Sequence, residues 1–320
     1  MNWIDYIPCV SQVKSVVQII KKDKEGAKVT QENFLGNCIG LIEPHLLIRP
    51  CPSYYCTKSR SKAHLWDWMK GLSDSMPITH VSIPGTHDSG CRTGGQFAKC
   101  QSFSIGEQLK VGIRFFDIRV RNVKNKFIVC HGIINCHLKF EKVLRYCENF
   151  LEINSTEFVV MRIRQEASSI YATKTFDEVY RMYASRKVFY QGNVDKVTVK
   201  DVRGKIFVLK DFPGEGVGHE WSFHNSILQD NFEPRSVYTK LKEIYEHHKY
   251  CIPDSKFNIN FLSACSPRLG AWPRNFARIC NKMFYKLIQD PEKRKFSGIV
   301  AIDFPGIDLI KEIVTLNNLN

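Results

Sequence analysis

Ile83-Pro84-Gly85-Thr86-His87-Asp88-Ser89 sets a histidine and a carboxylate side by side at the end of a short apolar run. The pattern recurs along the chain. Gly112-Ile113-Arg114-Phe115-Phe116-Asp117-Ile118-Arg119 is an apolar run whose aspartate and arginine stand two residues apart, so a strand presents both on one face. Val129-Cys130-His131-Gly132 closes a third run with another histidine. Runs rich in Val, Ile and Phe at 78–83, 113–120, 127–130, 158–164, 206–210, 257–263 and 299–304 are apolar on both faces, as buried parallel strands are. Amphipathic runs at 138–150, 175–185, 235–247 and 275–288 alternate with them. That many β-α units in roughly 250 residues predict an α/β fold, a closed or nearly closed (β/α) barrel of the TIM type. No glycine-rich dinucleotide fingerprint follows the first strand, which weighs against a doubly wound sheet.

Polar residues gather where these strands end. His87 and Asp88 follow the first, Asp117 and Arg119 lie towards the end of the second, and His131 ends the third. Arg164 and Glu166 end the fourth, Asp211 ends the fifth, and Asp303 sits near the end of the last. A parallel barrel brings such ends to one rim, where active sites are built. Packing alone does not account for so many charges on otherwise apolar strands, because burying an unpaired charge is costly.

The composition narrows the partners. The chain has 46 basic against 32 acidic residues, a formal +14, which favours an anionic partner. Neither a zinc-finger spacing nor an arginine-rich tract is present, so lipid or a phosphorylated small molecule is expected rather than nucleic acid. Cys130-His131 and Cys136-His137 fit no common zinc spacing. The amino terminus lacks the basic and apolar regions of a signal peptide, and no run is long and apolar enough to span a bilayer. A cytoplasmic protein acting at membrane surfaces, with reduced cysteines and no cofactor, is the expectation.

Residues 1–62 differ from the rest. Val13, Val16, Val17 and Ile20 mark an amphipathic helix, another short helix starts near Thr30, and the segment 49–62, rich in Pro, Ser and Lys, reads as a linker. The expected division is a helical extension and linker at 1–62, of unassigned role, and a catalytic barrel at 63–320.

Two histidines, flanking carboxylates and an arginine suit phosphodiester cleavage. Such a reaction needs a base for the nucleophile, an acid for the departing alkoxide and a cation for the phosphoryl oxygens. Histidine serves both proton roles near neutral pH, and a guanidinium grips two oxygens without losing its charge.

Residues 83–89, 112–119, 129–132, 158–164, 204–210 and 298–304, in that order, resemble the X domain of phosphatidylinositol-specific phospholipase C, over roughly residues 66–306. The resemblance implies a distorted barrel that cleaves phosphatidylinositol, in a membrane surface, to diacylglycerol and inositol 1,2-cyclic phosphate. Calcium-dependent members carry an asparagine beside the first histidine and a Glu-x-Asp pair on the second strand. Here Asp88 and Asp117-Ile118-Arg119 stand in those places, as in the metal-independent, bacterial-type branch. The resemblance then makes His87 the base oriented by Asp303, and His131 the acid supported by Asp88. It makes Arg119, positioned by Asp117, the phosphate ligand. For the headgroup it implies Arg164 in place of a lysine, Asp230, and Phe232 in place of a stacking tyrosine. Asp211 departs from the pattern, which has an arginine there. That departure keeps a second reading open: a catalytically weak member that binds a headgroup or a partner. A barrel acting on glycerophosphodiesters is a third, and Arg119 sits badly with the acidic metal ligands it needs. Trp221 and Trp272 fall in loops near strand ends, as bilayer-dipping aromatics or as rim packing. His80 and His137 read as structural, and His247-His248 reads as a solvated helix end.

Overall fold

A computed structural model describes residues 65–222 and 224–318, so the helices and linker expected over 1–62 lie outside the described residues. Among the described residues ten strands share one sheet. Eight form a curled parallel sheet in the order β7-β6-β5-β2-β1-β10-β9-β8. They are β1 (Ile83–Thr86), β2 (Phe115–Val123), β5 (Val159–Gln165), β6 (Ile206–Asp211), β7 (His219–Glu220), β8 (Ser226–Gln229), β9 (Phe257–Phe261) and β10 (Ile299–Ile302). No ladder joins β7 to β8 among the described residues, so the barrel is distorted and incompletely closed. Helices α1 (Ile105–Lys110), α2 (Phe140–Ile153), α3 (Phe176–Ala184), α4 (Val237–Tyr250) and α5 (Pro273–Gln289) connect the strands, and α6 (Ile307–Thr315) follows β10.

The strands run parallel because a helix or long loop separates each from the next in the sheet. Ile83 to Thr86 face Ile299 to Ile302 in register, and Gly85 and Thr86 face Phe115 and Phe116. Gly85 permits that approach, since a Cβ there would lie 2.6 Å from the Phe115 ring. One apolar cluster includes Ile83, Phe115, Ile163, Leu209 and Phe261. A second packs Phe276 and Phe284 of α5 and Ile313 of α6 on Val300 and Ile302.

Two expectations need correction. Residues 78–83 are not a strand: Ile78–His80 form a 3-10 turn, with Ile78 N bonded to Val197 O at 3.0 Å. The ladder begins only where Ile83 meets Ile299. The run at 127–130 is not a parallel strand either. It belongs to β3 (Lys126–His131), which pairs antiparallel with β2 and with β4 (Ile134–Lys139). Lys124 and Asn125, the two residues between Val123 and its partner Lys126, have φ of 49° and 61°. Positive φ at both central positions makes a tight hairpin turn, which permits only antiparallel return. β2 therefore overhangs the rim, and β3 brings His131 back down to it.

His248 is also not solvated. It is buried, and Nε2 donates to Lys293 O at 2.9 Å while Nδ1 meets Ser297 Oγ at 3.1 Å, pinning α4 to the segment before β10. Trp272 is buried edge-on to Phe97, and Trp221 is half-buried beside Phe261, so both are rim packing.

Candidate active site

The rim of the barrel surrounds a cavity of about 570 Å³. His87 and Asp303 reach it from the adjacent strands β1 and β10, each standing just past the strand end. His87 Nδ1 donates to Asp303 Oδ1 at 2.9 Å, which leaves Nε2 for the cavity side. Gln101 fixes the same turn, with Nε2 donating to His87 O at 2.7 Å and Ile302 O at 2.9 Å.

Asp88 is the hinge of the arrangement. Its φ of 41° is left-handed, a conformation aspartate tolerates better than bulkier residues do. The buried carboxylate that results sets Oδ2 3.5 Å from His87 Nε2 and 3.6 Å from His131 Nε2. Oδ1 lies 3.4 Å from Arg119 Nε. Oδ2 has no hydrogen-bond partner among the described residues, so a single oxygen stands between two imidazoles. His131 Nδ1 donates to Ala98 O at 2.9 Å, again leaving Nε2 to face inwards. Arg119 donates through Nε and Nη2 to Asp117 Oδ2 at 3.1 and 3.0 Å, and Nη1 lies 3.7 Å from Glu166 Oε1.

The electrostatics follow from burial set against charge. Burial disfavours the charged His131 ring, but the Asp88 carboxylate and the Cys91 thiol outweigh it and raise the ring to about 10. Burial opposes the His87 imidazolium too; Asp303 first and Asp88 next overcome it and the repulsion of Arg119, and the net shift is upward. Complete burial pushes the Asp303 carboxyl up, although the His87 ring pulls it back. Burial would also raise Asp117, yet Arg119 and Arg162 hold it well below the usual carboxylate range.

Metal ligation suits this set poorly. Cys100 completes two groups of closely spaced ligand atoms, one with His87 and Asp303, the other with Asp88 and His131. Its thiol is fully buried, donates to Ala98 O at 3.4 Å and does not line the cavity.

Arg164, Asp211, Asp230 and Phe232 line the same cavity. All ten residues singled out from the sequence therefore stand at this rim, with Asp88 and Asp117 just behind its wall.

Comparison with known proteins agrees with this geometry. Residues 74–211 match the family model described as phosphatidylinositol-specific phospholipase C, X domain. A Listeria monocytogenes protein named 1-phosphatidylinositol phosphodiesterase is 30% identical over 275 residues, covering 79% of this chain and 85% of the relative. The chain belongs to the phosphatidylinositol-specific phospholipase C X-domain family. A Staphylococcus aureus relative of the same name is 27% identical, over 78% of this chain and 94% of its own. The solved structure of the phosphatidylinositol-specific phospholipase C from Listeria monocytogenes superposes with a TM-score of 0.70 at 29% identity, covering 79% of this chain and 99% of that one.

Around this site of the phosphatidylinositol-specific phospholipase C chain, sequence reasoning passed over three contributors. Arg162, buried on β5, bridges Asp117 and Asp211. It shares a strand face with Arg164, a signal the alternation in Met161-Arg162-Ile163-Arg164 carries. Glu166 stands out in the sequence only as a strand end, yet its Oε1 accepts from Gly132 N at 3.0 Å, beside His131. Lys240 is wholly buried in α4; Nζ donates to Gln229 Oε1 at 3.0 Å and Asn231 O at 2.8 Å, clamping the turn that carries Asp230. A lysine on an amphipathic helix gives no sequence sign of such burial.

Proposed function

We propose that this protein cleaves phosphatidylinositol to diacylglycerol and inositol 1,2-cyclic phosphate by general acid–base catalysis, with Arg119 in the place of a metal ion. The observation that carries this reading is the single Asp88 oxygen between the inward nitrogens of His87 and His131, with Arg119 on the other oxygen. His87, held through Nδ1 by Asp303, takes the proton of the inositol 2-hydroxyl at Nε2. The hydroxyl oxygen attacks phosphorus, and the bond to the diacylglycerol oxygen breaks. His131 gives that oxygen its proton, a role its raised pKa suits because the ring stays charged at neutral pH. Arg119 holds the non-bridging oxygens, with Asp117 fixing its fork.

Arg164, Asp211, Asp230 and Phe232 form the headgroup end of the cavity in this reading. The net charge of +14 and the half-exposed Ile133, at the tip of the hairpin beside His131, support peripheral contact with an anionic bilayer. No helix among the described residues is long and apolar enough to cross a membrane.

Phosphorus NMR of phosphatidylinositol vesicles mixed with the protein tests the assignment. A growing cyclic phosphodiester signal, equal with and without EDTA, is expected. Vesicle binding with no product would favour the catalytically weak, headgroup-binding reading; a linear inositol phosphate as first product would overturn the chemistry.

A further inference from the structure

Two arginines share the Asp117 carboxylate. Oδ2 takes Arg119 Nε and Nη2, and Oδ1 faces Arg162 Nη1 at 3.3 Å. Asp117 is fully buried, so it has no bulk water to compensate for a lost partner. Oδ2 also accepts from Asp88 N at 3.2 Å, so it is through Oδ1 that a displacement of Arg162 bears on the carboxylate that aims Arg119.

Arg162 is held on its other side as well. Nη2 and Nε donate to Asp211 Oδ2 at 2.6 and 3.1 Å, and the guanidinium carbon lies 4.1 Å from the centre of the Trp221 ring. Arg114 shows what a structural arginine looks like in the same protein. It is buried against Glu157 and the carbonyls of Leu109, Ile113 and Trp66, and does not line the cavity. Arg162 does line it. Its anchor, Asp211, has a side chain 27% exposed, whereas that of Asp117 is 0% exposed, so a ligand reaches the pair from the Asp211 end. Arg164 Nε lies 3.8 Å from the same Asp211 oxygen, on the cavity side. A polyol hydroxyl that donates to Asp211 draws on the carboxylate that holds Arg162, and the guanidinium then leans more on Asp117.

We propose that Arg162 is a positioning residue that relays occupancy of Asp211 by a polyol headgroup to Arg119 through Asp117, so that headgroup seating and phosphate binding are thermodynamically coupled. The proposal rests on the reading of this cavity as a phosphoinositol site. It makes the departure at position 211 part of a working pair, with Asp211 acting through Arg162 as well as lining the cavity.

The test separates coupling from turnover. The full chain is titrated with inorganic phosphate, followed by histidine side-chain NMR, with and without saturating myo-inositol. We expect myo-inositol to tighten phosphate binding about threefold or more in the unaltered protein, and the factor to fall close to one in Arg162→Met and Asp211→Asn. Asp211→Asn keeps the shape of its parent and serves if Arg162→Met folds poorly. Steady-state rates on phosphatidylinositol vesicles provide a second readout: Arg162→Lys, which keeps the charge but loses the fork, lowers kcat roughly tenfold or more with KM changed less than about threefold. No coupling in the unaltered protein, coupling retained in both variants, or a rise in KM alone would overturn the relay. Coupling present in a protein that forms no cyclic phosphate would instead sink the proposed function and leave the relay standing.

Discussion

Replacing Asp88 with asparagine separates the two histidines by their response to pH. Asparagine accepts the left-handed backbone at this position, where φ is 41°, so the turn survives. The carboxylate charge is lost from a point 3.5 Å from His87 and 3.6 Å from His131. For His131 that charge is the largest of the influences raising its pKa from 6.5 to about 10, a rise worth roughly 4–5 kcal/mol between charged and neutral ring. Losing even half of it moves the ring down by about 2 pH units. For His87 the Asp88 charge ranks behind that of Asp303, so its downward move is smaller.

The acid must be protonated, so kcat/KM falls as pH rises through the His131 value of the free protein; the base must be neutral, so kcat/KM rises as pH climbs through the His87 value. In the unaltered protein the descending limb lies near pH 10, and the ascending limb lies above 6.5. Stability follows the same direction. The protonated His131 contributes stability that is whole below pH 6.5 and is lost as pH rises through about 10. In Asp88→Asn the descending limb moves to lower pH by about 2 units or more, the ascending limb moves less, and the bell narrows. The assay is kcat/KM on phosphatidylinositol in mixed micelles between pH 5 and about 10.5, with histidine ring NMR titration of the free protein. The height of the profile also drops, because Arg119 loses a partner. A descending limb that stays in place would show that His131 is not the acid Asp88 supports.

His87→Ala and His131→Ala each lower kcat by at least about 10³-fold while leaving the circular dichroism and melting curve of the parent; near-normal turnover in either purified variant removes its proton role. Asp303→Asn shifts the ascending limb of the rate profile down, since the strongest influence raising His87 is gone; an unmoved limb counts against the pairing. EDTA leaves the rate unchanged, and added calcium does not restore a weakened Arg119→Ala variant; loss of activity in chelator would point to a bound ion. Arg114→Met leaves Glu157 buried without its partner and destabilises the fold by roughly 3–5 kcal/mol in urea unfolding, with the cyclic product unchanged where the protein remains folded. A shift under about 1 kcal/mol would mean that water or the chain had rescued Glu157.

Much of the fold was legible because buried parallel strands are apolar on both faces and most of the long helices are amphipathic. The runs at 113–120, 158–164, 206–210, 257–263 and 299–304 correspond to β2, β5, β6, β9 and β10. The short strands β7 and β8 left no such trace, for two to four residues are too few to set a period. The hairpin of β2 and β3 was hidden because Lys124 and Asn125 lack the glycine that announces such turns. His248 was misread because a helix end rich in His and Lys looks solvated until a distant segment covers it.

The sequence by itself determined the charge-bearing ends of the parallel strands, and hence that His87, Arg119 and Asp303 would meet at one rim. That follows from local rules: strand faces alternate, and parallel strands end together. Only the tertiary structure decided which carboxylate serves which base, that β3 returns antiparallel to carry His131 to Asp88, and that Arg162 and Lys240 are buried in polar networks. Those outcomes depend on side chains from segments far apart in the chain sharing space from which water is excluded. A charge there must find a partner, and the partner's identity is a matter of distance in the fold.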